Sequence, residues 1–205
     1  MNHFDRVNAV GKWIRPIYYV IMIALFAGMS LLIVDGMKYD LDSEQPVSPV
    51  RQAHAIIFLV GIPIRIAASV LMLVWFYRAY LYFAQSNPDV AETTPGMAVG
   101  VFFIPILNLY RPYRHMNEIY SWHAFEDQTI SDTTLVGWWW ALVITTSLLP
   151  RVFMGLEPGP TERYVSATLE GLDIVLFVVE LTLINRITAW TGRRVEAESV
   201  TGLAA

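Results

Sequence analysis

Residues 16–34 read PIYYVIMIALFAGMSLLIV, nineteen positions from Pro16 to Val34 with no charged side chain. About 20 mostly apolar residues are needed to cross the hydrocarbon core of a bilayer as a helix, so this stretch sets the fold class: helices in a membrane. The run is longer than the apolar core of a signal peptide. It ends in Asp35-Gly36-Met37-Lys38 rather than at a small-residue cleavage site, and so reads as a retained helix. Working outward, Ala53–Tyr77 is a second apolar span, interrupted by Arg65. Thr133–Pro150 is a third, opened by Trp138, Trp139 and Trp140. Val165–Asn185 is a fourth and carries Glu170, Asp173 and Glu180. Gly96–Tyr110 is apolar too, but it has 15 residues, with Pro105 inside it and Pro112 just beyond. That is too short and too broken for a spanning helix, and it suits a re-entrant or interfacial element.

The expectation is therefore an all-α polytopic membrane protein with four transmembrane helices, at about 16–36, 53–80, 133–152 and 165–188, plus a proline-broken segment over 96–125. Residues 1–195 form a single integral-membrane domain, and 196–205 form a flexible tail. Composition agrees. Of 205 residues, 55% are hydrophobic and only 16% charged, against about 25% charged in an ordinary soluble domain. Mean hydropathy is +0.45. The net charge of −4 argues against nucleic acid as a partner. The chain has no cysteine, which removes disulfides, thiol nucleophiles and cysteine-ligated metals from consideration.

Orientation follows from lysine and arginine in the short loops. Four spans with both termini in the cytoplasm place Arg6, Lys12, Arg15, Arg78, Arg111, Arg114, Arg186, Arg193 and Arg194 inside, against Lys38, Arg51, Arg151 and Arg163 outside. This nine-to-four bias requires Gly96–Tyr110 to return to the side it left.

The middle of the chain carries motifs. Trp75-Phe76-Tyr77-Arg78-Ala79 closes the second span. Then come Pro95-Gly96, Phe103-Ile104-Pro105-Ile106-Leu107-Asn108-Leu109, and Pro112-Tyr113-Arg114-His115-Met116-Asn117-Glu118. Residues 70–122 resemble a bacterial membrane family known as domain of unknown function 4328, with Met97 where that family commonly has tryptophan. The resemblance implies a multi-pass protein of the bacterial cytoplasmic membrane and brings no activity, cofactor or catalytic residue with it.

Physics reads the same segment directly. Pro105 removes a backbone donor and frees a carbonyl one turn earlier. In hydrocarbon that carbonyl needs a partner, and Asn108 has the donors to supply one. Gly96 and Gly100 form a small-x-x-x-small pair that would let another helix approach. Pro105, Asn108 and Pro112 thus mark a candidate helix-break site. Beyond it, Arg111–Phe125 reads as an amphipathic helix at the interface, with Arg111 and Arg114 towards anionic headgroups. Trp138–Trp140 reads as an interfacial belt.

Ionisable residues inside spans are costly and must face a partner. At 100° per residue Glu170, Asp173 and Glu180 fall within an arc of ~80° on one face. Arg65 lies on a face with His54, Phe58, Gly61, Ser69 and Met72, at roughly 16 Å depth. Arg65 is therefore expected to pair with Asp173 or Glu170, leaving surplus acid on the last helix, with Glu180 turned towards the broken segment. His115-x-x-Glu118 has the spacing of two ligands on one helix, but sequence offers no third, so no metal is expected. A nucleophile–base set, a phosphate loop and a zinc-protease motif are all missing, so neither catalytic nor cofactor-binding residues are assigned. The reading is a non-enzymatic membrane scaffold whose partners are the bilayer and a second copy or another membrane protein. The alternative is a small transporter or channel using the acidic face and the Pro105–Asn108 break.

Overall fold

A computed structural model describes residues 3–39, 49–126, 133–153 and 160–200. The described residues form six α-helices: α1 (His3–Tyr39), α2 (Pro49–Ser86), α3 (Pro95–Gly100), α4 (Arg111–Glu126), α5 (Thr134–Phe153) and α6 (Pro160–Val200). Two 3₁₀ turns, Val101–Phe103 and Leu107–Leu109, lie between α3 and α4. No strand occurs among the described residues. Residues 40–48, 127–132, 154–159 and the last five of the expected tail lie outside the described residues.

The four long helices cover the four apolar stretches and extend past them. α1 begins well before Pro16, and α6 runs to Val200, so residues 196–200 are helical rather than a frayed tail. Good helix formers such as Glu196, Ala197 and Glu198 carry it on. Three helices are long and apolar enough to cross a membrane: Asn8–Asp35 of α1, Gln52–Ser86 of α2 and Thr134–Phe153 of α5. α6, with Glu170, Asp173 and Glu180 in its apolar stretch, is not one of these. The apolar helices leave large side chains uncovered, among them Ile23, Phe26, Leu59, Val60 and Val152. Such surface is tolerable only against lipid or another chain.

The chain divides into two compact units, and α1, α2, α5 and α6 each contribute to both. One unit comprises residues 1–15, 69–140 and 179–205, and the other 16–68 and 141–178. The first has an aromatic core, with Trp75, Phe76, Tyr80, Phe83 and Trp139 at most 1% exposed. The Trp75 indole donates to Thr188 Oγ1 at 3.1 Å, tying α2 to α6. The apolar face of α4, expected against lipid, is covered by protein. His115, Met116, Ile119, Tyr120 and His123 form its buried face. They meet aromatic side chains of α2 and α6: His115 meets Tyr80 edge-on at 5.4 Å, and Tyr120 meets Trp190 at 5.1 Å. The tryptophan run is likewise not a belt. Trp139 and Trp140 are buried, and only Trp138 points outward.

The break after α3 satisfies itself. Thr94 caps α3, accepting from Met97 N at 3.3 Å, and Pro95 occupies the first turn, where no donor is missed. Pro105 has no N–H to donate to Val101 O, and Ile104 N takes that carbonyl instead at 3.3 Å. Asn108 N bonds Ile104 O at 2.8 Å, and Trp140 Nε1 donates to Leu109 O at 2.9 Å. The expected role of the Asn108 side chain is therefore not observed. It has no hydrogen-bond partner among the described residues, because 3₁₀ bonds and an indole do that work. Pro112 is buried at the start of α4. Gly96 and Gly100 do not mark a close approach either: a Cβ on Gly96 would meet nothing within 4 Å, and one on Gly100 only the sulfur of Met97. α2 closes at Ser86, with Asn87 N bonding Phe83 O at 2.9 Å.

Candidate functional site

Two constellations concentrate the chemistry, one in each unit. In the unit of residues 16–68 and 141–178, polar groups come in matched pairs on otherwise apolar helices. Arg65 Nη1 of α2 lies 3.9 Å from Asp173 Oδ2 of α6, and the guanidinium stands 5.5 Å from the Phe58 ring. Glu170 does not share that arginine. Its Oε1 is 2.8 Å from His54 Nε2, near the start of α2. The surplus of acid expected on α6 thus shrinks, since His54 answers Glu170 and Glu180 belongs to the other unit. Gly28 of α1 makes the room: a Cβ there would stand 2.8 Å from Glu170 Oε2. The close glycine approach is here, not at Gly96.

A third pair was not legible. Asp35 Oδ2, near the end of α1, lies 2.6 Å from Arg163 Nε in the first turn of α6, with both side chains about 95% buried. Read along the sequence, Asp35 ended a span and Arg163 sat in an outer turn, and neither had a visible partner. Beside Arg65 and Glu170, a cavity of about 20 Å³ is lined by Val20, Ala24, Leu25 and Ile57. That is room for roughly one water.

In the other unit, the end of α2, the turn over residues 87–94 and α4 converge. Tyr80 OH donates to Glu118 Oε2 at 2.8 Å. His115 Nδ1 lies 3.5 Å from the same oxygen. Glu92 comes from the turn, held by Arg114 on Oε1 and by Arg111 at 3.5 Å from Oε2. One ligand atom each from Glu92, His115 and Glu118 lie within 4.8 Å of one another. Sequence spacing found His115 and Glu118. Glu92 was missed because a loop carboxylate 23 residues before the histidine has no period to betray it. The arginines expected at headgroups instead hold this carboxylate.

His123, two turns along α4, is 4% exposed, with Nε2 3.3 Å from Thr191 Oγ1 and its ring against Trp122 and Trp190. Burial, helped by the Arg194 charge, lowers its pKa from 6.5 to about 3. The folded chain keeps it neutral while the unfolded chain protonates it below pH 6.5, so stability falls as pH drops through that window and is flat above it. At one proton per molecule the slope is about 1.4 kcal/mol per pH unit, or about 2 kcal/mol between pH 6.5 and 5. Thermal unfolding of wild type and His123→Gln over that range should show a pH dependence that the variant lacks.

These observations define a helical protein with apolar surfaces suited to a membrane and two polar clusters built on its helices. Residues 41–189 match the family described as Domain of unknown function (DUF4328), and the chain belongs to that family. No curated protein and no solved structure matches the chain.

Proposed function

We propose that the protein crosses a bacterial cytoplasmic membrane four times, α6 making the fourth crossing, with both termini in the cytoplasm. It serves there as a non-enzymatic scaffold for a second copy or another membrane protein. The nine-to-four distribution of basic residues supports the orientation. The exposed Phe103, Ile104, Ile106 and Leu109 around the proline break support a segment that dips into the membrane and returns. One observation carries the scaffold reading: the ionisable groups on the apolar helices are answered locally, Arg65 by Asp173, His54 by Glu170 and Asp35 by Arg163. The cavity beside Arg65 and Glu170 holds roughly one water. Pairing of this kind lets α6 sit among apolar helices despite its acids.

A transport role is the second reading, favoured by the looseness of one pair: Arg65 and Asp173 stand 3.9 Å apart with side chains about 30% exposed. Cation and proton flux into proteoliposomes separates the two. The scaffold reading expects wild type and Asp173→Asn both to match the leak of empty vesicles. Flux above that leak in wild type, abolished in Asp173→Asn, would establish transport instead.

A further inference from the structure

The Glu92–His115–Glu118 cluster has more in it than an ion pair. His115 is fully buried, and neither ring nitrogen makes a hydrogen bond among the described residues. A buried imidazole without a partner forfeits the full desolvation of its polar atoms, and native structures rarely tolerate that unless something else takes the lone pair. Glu118 Oε1, on the same helix face, is also buried without a hydrogen bond. Among the described residues two carboxylates stand close to His115: Glu118 at 3.5 Å, and Glu92 within the 4.8 Å cluster.

We propose that Glu92, His115 and Glu118 bind a single divalent metal ion of the zinc class, with the Tyr80 hydroxyl orienting Glu118. One imidazole and two carboxylates are a donor set that zinc accepts, and three protein ligands leave a fourth position for water or an oxygen ligand from outside. Zinc bonds of 2.0–2.2 Å put tetrahedral ligand atoms ~3.3 Å apart. His115 Nδ1 and Glu118 Oε2, at 3.5 Å, already stand near that separation. Glu92 is the ligand that closes in. Its turn is fixed by Val90 N and Ala91 N, which both donate to Asn87 O, so the carboxylate needs only a side-chain adjustment.

Ligating carboxylates are normally held by an outer shell of donors, and Tyr80 on Glu118 and Arg114 on Glu92 Oε1 have that arrangement. Arg111 is the competitor, because it reaches Glu92 Oε2 at 3.5 Å. Its side chain is about a third exposed and can swing away when the ion enters. The bound ion would fasten the 87–94 turn to α4. The site does not depend on the scaffold reading and survives its failure.

The test uses the purified full chain in nanodiscs, stripped with EDTA and titrated with Zn²⁺ by calorimetry and with Co²⁺ by visible absorption. Wild type should saturate at one equivalent, give the intense bands of four- or five-coordinate cobalt, and melt at a higher temperature with Zn²⁺. Glu92→Gln sits on an exposed turn and keeps the core intact. It should weaken Zn²⁺ by at least tenfold and lose the thermal shift. Arg111→Gln should bind more tightly than wild type, because it removes the competitor. His115→Gln should lose the cobalt bands. The proposal is overturned by an absence of saturation at one equivalent, by hexa-aqua-type cobalt spectra, or by Glu92→Gln binding as wild type does.

Discussion

Replacing Arg163 with methionine is expected to cost about 3–5 kcal/mol of stability. The guanidinium and the Asp35 carboxylate are each about 95% buried, and Nε lies 2.6 Å from Oδ2. Removing one partner strands the other charge away from water, and that stranded charge is what makes the loss large. For a chain of this size the melting temperature in detergent should fall by on the order of 10 °C. Asp35→Leu combined with Arg163→Met should recover most of it, because two apolar side chains of similar volume leave nothing unpaired. A loss below about 0.5 kcal/mol in Arg163→Met would mean that the pair is solvated and does not fix α6 to α1.

The second large effect is at Trp75. It is fully buried, and its indole donates to Thr188 of α6. Trp75→Ala removes one of the two tryptophans of the aromatic core and should cost about 3–5 kcal/mol. Trp75→Phe keeps most of the packing and loses the hydrogen bond together with part of the ring volume, for about 1–2 kcal/mol. Thermal unfolding of the two variants separates packing from the bond. Equal losses would place the contribution in the indole N–H and the second ring rather than in the packing that phenylalanine retains.

These two residues also show how far sequence reading reaches. The helices were legible, because runs such as Pro16–Val34 have no alternative in their length and charge. The break at Pro105 was legible, because a missing N–H is a local fact. What satisfies the break was not: Ile104 N and the Trp140 indole do it, and neither is implied by the chemistry of Asn108. Helical phase placed Arg65 and Asp173 on facing surfaces, and they stand 3.9 Å apart. It did not assign Glu170 to His54, because His54 was weighed only as part of the face bearing Arg65. Asp35–Arg163 and Glu92–His115 join residues 128 and 23 positions apart, with no periodicity linking them. Long-range pairs of that kind are set by how the helices pack. Likewise, the amphipathic pattern of Arg111–Phe125 fits a lipid surface or a protein groove equally well, and α4 buries that face against Tyr80 and Trp190.

In the proposed topology α6 crosses the membrane despite Glu170, Asp173 and Glu180. The absence of cysteine makes this directly testable, since single cysteines can be introduced without background. Ser43→Cys, Asn87→Cys, Ser131→Cys, Gly159→Cys and Thr201→Cys are each labelled on intact cells with a membrane-impermeant maleimide. Four crossings predict labelling from outside at positions 43 and 159, and protection at 87, 131 and 201 until the cells are opened. With α1, α2 and α5 as the only crossings, position 201 would stay on the outer side with 159. Labelling of Thr201→Cys on intact cells would therefore rule out a crossing by α6.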